Sequence, residues 1–246
     1  MNTRKDLQYI QPNLNENEEI TIANWNLKIF GDSKAKNTDL MLDYAGIMRD
    51  YDIIFIQEIR DKDGSAFNSL CLFMGDYECK ISSRAGRSSS KEQYGIIYKK
   101  DINIIDFLDY NPDAEDRWER PPIKVTFNDS GYVFTVYNIH TKPTDAENEI
   151  AYLDDIVQDQ GNVIITGDLN ADCDYYEKPM IPDFGGWEWL IEDNEDTTVG
   201  STDCAYDRII LNDNAYDEYI SHEIRTDITE EMSDHYLVSV TLKKEE

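Results

Sequence analysis

The chain has 246 residues, 40% of them apolar, enough to bury one substantial core, so a single domain is expected. A formal charge of −28, taken alone, argues against a nucleic-acid partner, because affinity for DNA comes largely from Lys and Arg replacing counterions at phosphates. No run of about 18 uncharged apolar residues occurs, so no membrane span is expected, and the opening MNTRKDLQYIQPNLNENEE lacks the apolar core of a signal peptide.

Met1–Glu19 is polar and is expected to be disordered, leaving residues 20–246 as the folded domain. Ile20–Asn26 (ITIANWN) and Ile53–Gln57 (IIFIQ) read as strands. Between them, Asn37–Arg49 carries Leu40, Met41, Tyr44, Ala45, Ile47 and Met48 at helical spacing. A helix near Phe67–Met74 follows, then strands at Tyr94–Tyr98, Ile102–Phe107, Ile123–Phe127 and Tyr132–Ile139. A helix over Asp145–Gln158 precedes strands at Val163–Thr166, Asp207–Leu211 and Leu237–Leu242. Strands outnumber helices and several form hairpin-like pairs, which favours two packed sheets with helices outside, an α/β layered architecture.

Charge is unevenly spread. Residues 143–246 hold 5 basic and 28 acidic residues, a net of −23, and residues 1–142 hold 18 and 23, a net of −5. Arg84, Arg87 and Lys91 lie in SSRAGRSSSKEQ, a Ser/Gly/Arg loop whose donors suit a phosphate backbone or simply face water. Polar residues gather where strands end: Asn26, Glu58, His140, Asp168 and Asn170, with Asp234 and His235 just before the last strand. Carboxylate and amide oxygens suit a hard divalent cation such as Mg²⁺. Two of the three histidines lie among them and can exchange protons at neutral pH. Cys71, Cys79, Cys173 and Cys204 fall in no zinc-type CxxC pattern, and their even number permits disulfides without requiring them.

The segments NLKIFG, YDIIFIQEIRD, GRSSSKEQYG, NIHTKP, GDLNADC, DTTVGSTDCAYDRII and SDHYLVSVTL, in this order from about Ile20 to Leu242, resemble the deoxyribonuclease I branch of the endonuclease/exonuclease/phosphatase superfamily. CAYDRI and NADC belong to that branch, whereas QE, GDxN and SDH are shared across the superfamily. The resemblance implies a four-layered α/β sandwich, two packed mixed β-sheets flanked by helices, and metal-dependent phosphodiester cleavage. It implies that His140 protonates the leaving 3′ oxygen and His235 activates water, with Glu92 orienting the first and Asp207 the second. Glu58 would be the principal ligand of Mg²⁺ (or Mn²⁺), with Asn26 nearby and Asp168 and Asp234 completing the acidic cluster. Asn170 would donate to the scissile phosphate, and Arg60, Arg87, Arg120 and Lys28 would reach DNA. Asp196 and Thr198 would hold a structural Ca²⁺. Cys173 and Cys204 would be bridged, closing a loop of about 31 residues that stabilises by roughly 3 to 4 kcal/mol on the chain-entropy model. Such a bridge implies an oxidising compartment and a secreted, monomeric enzyme whose signal has been removed.

The chain also departs from that pattern. Ser90 replaces a groove-packing tyrosine and Lys28 an arginine, so groove contact is expected to be weaker. Pro121 replaces an acidic residue and the short disulfide loop is absent, so a second calcium site is not expected. Cys71 and Cys79 have no counterpart, and the sequence leaves open whether they pair. The acidity suggests salt adaptation, because charge interactions are screened within about 3 Å at 1 M salt. Three function classes follow: an endonuclease, a phosphomonoesterase or sphingomyelinase of the same superfamily, and a catalytically silent binding protein, the last disfavoured by the intact histidine–carboxylate pairs.

Overall fold

The computed structural model describes residues 18–177 and 183–245. Residues 1–17 of the segment expected to be disordered lie outside the described residues, whereas Glu19 already opens the first strand. In chain order the elements are β1 (Glu19–Phe30), α1 (Asp32–Ala35), α2 (Thr38–Met48), β2 (Ile53–Ile59), α3 (Ser65–Met74), β3 (Tyr77–Ile81), β4 (Gln93–Lys99), β5 (Asn103–Asp109) and β6 (Ile123–Asp129). They continue with β7 (Tyr132–His140), α4 (Ala146–Ile156), β8 (Asn162–Asp168), β9 (Glu188–Trp189), β10 (Asp207–Leu211), α5 (Asp213–Asp217), β11 (Tyr219–Arg225) and β12 (Leu237–Lys243). The strands form two six-stranded sheets, β11-β12-β1-β2-β4-β3 and β5-β6-β7-β8-β10-β9. Each sheet is mixed: β1–β2 and β7–β8 are parallel, and their neighbours are antiparallel.

Period-two alternation makes each sheet a two-faced layer. Inward faces meet in one core containing Ile20, Ile22, Phe55 and Ile96 from the first sheet and Val125, Phe127, Phe134 and Ile164 from the second. The outward face of the first sheet, with Ala23, Trp25, Ile54 and Ile56, is covered by α2 and α3 through Leu40, Tyr44, Met48, Phe67 and Leu70. Tyr137, Ile139, Val163 and Ile165 of the second sheet pack on Ile150 and Leu153 of α4. The result is the expected four-layered sandwich. Helix α2 begins where Asn37 accepts the Leu40 N–H at 3.2 Å, an N-cap that fixes its register. Gly95 lets β4 lie against α3, since a Cβ there would stand 2.5 Å from the Phe67 ring.

The inward faces do not stay apolar. Along β1 the inward residues run Ile20, Ile22, Asn24, Asn26; along β2, Ile53, Phe55, Gln57; along β7, Phe134, Val136, Asn138, His140; along β8, Ile164, Thr166, Asp168. Antiparallel β10 reaches the same end with Asp207. A buried amide layer therefore separates the apolar core from an ionisable one. Gln57 donates to Asn138 Oδ1 at 2.9 Å, and Asn138 donates to Asn24 Oδ1 at 2.9 Å and to the Thr166 carbonyl at 2.8 Å. Phe127 sits in the apolar half, stacked on Phe134 and edge-on to Phe55 and Tyr98. Phe127→Ala is expected to lower unfolding stability by about 3–5 kcal/mol while leaving the polar end in place, as measured by urea unfolding. A loss under 1 kcal/mol would mean that the sheets are not joined through this ring.

Candidate active site

Register brings the polar strand ends together. His140 pairs with Asp168 across β7–β8, and Asp168 with Asp207 across β8–β10. The approach of β7 to β8 is set by Gly167, where a Cβ would stand 1.8 Å from the Ile139 carbonyl oxygen. The glycine of GDLN is thus what lets Asp168 sit beside His140. Four residues in this region adopt left-handed backbone without being glycine: Lys28, Ile29, Glu58 and Asn170, at φ +43, +53, +61 and +47. Such conformations cost on the order of 1–3 kcal/mol each and concentrate at sites that need a particular side-chain direction. Lys28, Ile29 and Glu58 lie in a bulge where the β1–β2 register shifts between Asn26 and Phe30, and Asn170 lies in the loop after β8. The bulge turns the Ile29 N–H onto Glu58 Oε2 at 2.8 Å.

Two imidazoles face each other across Asp168. His140 Nδ1 lies 2.5 Å from Glu92 Oε1, and His235 Nδ1 lies 2.7 Å from Asp207 Oδ2. Their Nε2 atoms stand 3.3 and 3.6 Å from the same oxygen, Asp168 Oδ2. Asn26 Nδ2 donates to that oxygen at 2.9 Å and reaches Glu58 Oε1 at 3.5 Å, while its Oδ1 accepts the Lys28 N–H. Asn26 therefore supports the two carboxylates through its amide nitrogen, while its Oδ1 keeps a second lone pair. Asn170 Nδ2 donates to the Thr141 carbonyl at 3.2 Å. Asp234 lies on the rim, paired with Lys28 at 3.0 Å.

Burial pulls the His235 pKa down, yet the charges of Asp207, Asp168 and Asp234 outweigh it and hold the pKa up at about 10. Burial raises Asp207 to about 6 against the pull of His235. Glu92 is also opposed by burial, but His140, Arg120 and Arg60 together keep its pKa below the usual value. The carboxylates around the two rings outnumber the cations that face them, and this excess of negative charge accommodates a cation. Glu58, Glu92 and His140 form one group of metal-capable ligands, and Asp168, Asp207 and His235 another. Two of these carboxylates, Glu58 and Asp168, are free of a histidine Nδ1. They are hard oxygens suited to Mg²⁺ or Mn²⁺.

The other expected residues fall in several places. Arg60 lies over the cluster, 3.2 Å from Glu58 and 3.5 Å from Glu92. Arg87 pairs with Asp116 and Glu119, outside the cluster. Arg120, expected to reach DNA, is instead largely buried: it donates to the carbonyls of His140 (2.8 Å) and Thr141 and stands 3.3 Å from Glu92. The protein folds the Arg117–Pro121 segment under the His140 loop, which leaves Arg120 bracing His140. Asp196 Oδ1 accepts from Thr198 N, Thr198 Oγ1 and Cys204 N, a turn closed on its own carboxylate. No group of three metal-capable ligands includes Asp196 among the described residues. That turn nonetheless supports His235, through the Val199 N–H to the Asp234 carbonyl and the Tyr236 N–H to the Thr197 carbonyl, both 2.8 Å. Cys173 is bridged to Cys204, tying the Asn170 loop to the strand of Asp207, and Cys71 to Cys79, joining α3 to β3.

Glu149 was not anticipated. It is buried on α4, accepting the Glu119 N–H at 2.6 Å and the Lys142 N–H at 2.9 Å. Its signal was available: Ala146, Glu149, Ile150 and Leu153 form the buried stripe of α4, so a carboxylate falls where an apolar residue would.

With this geometry established, comparison with known proteins is informative. The Endonuclease/Exonuclease/phosphatase family profile matches residues 23–235. The chain belongs to this family. It is 33% identical to Deoxyribonuclease-1 of Gallus gallus, over 91% of this chain and 92% of that one, and 32% identical to the Mus musculus protein over 92% of each. A Bacteroides thetaiotaomicron mannosyl-6-phosphatase shares the fold at a TM-score of 0.66 and 19% identity, covering 90% of this chain and 98% of that one. A functionally unknown Enterococcus faecalis protein shares it at 0.70 and 15%, covering 92% and 100%. The family resemblance drawn from the motifs is borne out, and with it a hydrolase of the family's nuclease and phosphatase kind. Because Gly167 sets the β7–β8 approach, Gly167→Ala is expected to lower the melting temperature and cut activity at least tenfold, checked by calorimetry and phosphoester hydrolysis. A stable, fully active variant would show that the strands can part without disturbing Asp168.

Proposed function

We propose that the protein is a secreted, monomeric, divalent-metal-dependent endonuclease that hydrolyses DNA phosphodiesters with little sequence preference, leaving 5′-phosphate ends. The observation that supports this best is the convergence of His140 Nε2 and His235 Nε2 on one carboxylate oxygen, each ring backed at Nδ1 by its own carboxylate. Hydrolysis forms a bond from water oxygen to phosphorus and breaks the P–O3′ bond, so one proton leaves water and one reaches O3′. His235 Nε2 takes the first and His140 Nε2 delivers the second. Asp207 and Glu92 hold the rings by Nδ1–H, which fixes the tautomers and supports each imidazolium. Asn170 spends one amide hydrogen on Thr141, and its other can stabilise charge on a phosphate oxygen.

Glu58 and Asp168, with Asp234 at the rim, would hold Mg²⁺ or Mn²⁺, which when bound offsets the phosphate charge. Arg60, Arg87 and Lys28 would meet DNA phosphates, with Arg120 bracing His140 from below. Asp196 and Thr198 would hold Ca²⁺. Two disulfides suit an oxidising, extracellular setting.

The test is nicking of supercoiled plasmid with Mg²⁺, with and without chelator, beside sphingomyelin and a sugar phosphate as controls for the alternative phosphatase and sphingomyelinase reading. His140→Ala and His235→Ala are each expected to lower kcat by about 10²- to 10⁴-fold with the fold intact. Near wild-type nicking by either would remove it from the pair. Glu58→Gln is expected to raise the Mg²⁺ concentration at half-maximal rate, because one anionic ligand is lost, and an unchanged dependence would move the ion elsewhere.

A second expectation comes from charge. The net of −23 over residues 143–246 adds long-range repulsion toward DNA, which salt screens. Initial nicking rates measured from dilute buffer to several molar NaCl, at fixed Mg²⁺ and Ca²⁺, are therefore expected to fall less steeply than those of a near-neutral relative. Collapse by about 0.2 M salt with the circular dichroism unchanged would rule out salt adaptation.

A further inference from the structure

Every cation that the proposed function assigns to the substrate already faces a carboxylate of the protein. Lys28 pairs with Asp234, and Arg60 with Glu58 and Glu92, all partners inside the catalytic cluster. Arg87 differs, because its partners lie outside that cluster. Its Nε donates to Asp116 Oδ1 at 2.9 Å, its Nη2 donates to the Asp116 carbonyl, and its Nη1 lies 3.8 Å from Glu119 Oε2. The Arg87 main-chain N–H donates to Glu119 Oε1 at 2.8 Å. Asp116 thus takes the Nε–Nη2 edge of the guanidinium, one of the paired-donor edges that clasp a phosphate, and Glu119 adds a second negative charge beside Nη1.

The position of this contact gives it consequence. The Gly86–Lys91 loop carrying Arg87 is closed by reciprocal main-chain hydrogen bonds between Ala85 and Glu92, both 2.9 Å, and Glu92 holds His140. Glu119 immediately precedes Arg120, which donates to the His140 carbonyl. The contact therefore joins two loops that converge on His140. Asp116 serves no part of the chemistry. Its side chain is 76% exposed, and its backbone is left-handed at φ +53.

We propose that Asp116 and Glu119 are built-in counter-ions that occupy the donor fork of Arg87, so that a DNA phosphate must displace them, and that they thereby set substrate affinity and its dependence on salt. This rests on the endonuclease reading above. The displaced carboxylates remain beside the bound phosphate, so the contact neutralises the DNA less than a free arginine would and releases fewer of its condensed cations. Each full phosphate contact contributes about −0.9 to the slope of log affinity against log salt, and the counter-ions remove part of that slope at Arg87.

Asp116→Asn tests this cleanly, because Asn tolerates left-handed backbone and keeps an oxygen for Arg87 while losing the charge. With the intact protein, Mg²⁺ and plasmid at 50 mM NaCl, the variant is expected to show a KM about two- to fivefold lower and an unchanged kcat, the range of an exposed ion pair. Its kcat/KM should fall more steeply with NaCl than wild type, by up to about 0.9 in slope. Asp116→Asn/Glu119→Gln should extend both effects, and melting temperatures should confirm that the variants are folded. In an Arg87→Ala background the Asp116→Asn gain should vanish, since no fork remains to be freed. An unchanged or higher KM would overturn the proposal, as would an equal gain in the Arg87→Ala background, which would mark a general charge effect. Failure of wild-type protein to nick plasmid would instead remove the endonuclease reading, and this proposal with it.

Discussion

The constraint on which the site depends is the shared alternation of side chains across the two facing sheets. Each strand that enters the interface with apolar residues must, two residues at a time, keep presenting that face, so a change from Ile or Phe to Asn, Gln, Asp or His near the strand end delivers polar groups into the same enclosed layer. An unmet buried polar group costs about 1–3 kcal/mol, and the protein meets the demand by mutual pairing. Asn24, Gln57 and Asn138 satisfy one another, and the amide layer passes the transition on to the ionisable one. Gln57 Oε1 and Thr166 Oγ1 are left without partners in that layer. A substitution shifting any of these strands by one residue would therefore move its ionisable groups to the helix-covered faces.

The same enclosure explains the electrostatics. Five carboxylates, Glu58, Glu92, Asp168, Asp207 and Asp234, share one strand-end cluster with two imidazoles. Charges out of water interact strongly and must be offset locally. Glu92 and Asp207 are offset by the histidines they orient. Glu58 and Asp168 face Arg60 at the edge, the Asn26 amide, the Ile29 and Asn170 N–H groups and the histidine Nε2 atoms, so the charge imbalance falls on the oxygens best suited to a divalent cation. The buried Arg120 and Glu149 belong to the same account: one carries positive charge under Glu92, and the other anchors the two loops on either side of it.

Much of this was legible in the sequence, because motifs at strand ends are set by local pattern. ITIANWN, IIFIQE and VIITGD already show apolar alternation breaking into polar residues, and the paired histidines and carboxylates fall where their motifs place them. What was not legible depends on distant neighbours. The edge strands β3 (YECKI) and β11 (YISHEIR) are half-exposed and lack an apolar run, so period two is hidden in them. Pairing of Cys71 with Cys79 follows from the turn between α3 and β3, which a spacing of eight does not specify. Arg120 reads as a surface cation until the Arg117–Pro121 segment is seen folded beneath His140.

The acidic composition acquires a structural meaning once the cations are traced. In residues 143–246 two of the few cations act as pins. Arg208 is buried, donating to the carbonyls of Ile191 and Ala171 and to Asp193, and Arg225 clamps Asp50 and Asp227. Lys244 in the same segment holds Asp129, and elsewhere Lys124 holds Asp159 and Arg84 is occupied by the carbonyls of Arg60, Asp61 and Lys91. A chain with 23 basic residues against 51 acidic ones that commits so many of its cations inward has few left to attract a polyanion over distance. Under the proposed function, contact with a phosphodiester then leans on short-range neutral donors such as the Asn170 amide. Such contacts depend less on ionic strength than a free basic patch does, because they exchange hydrogen bonds rather than releasing cations.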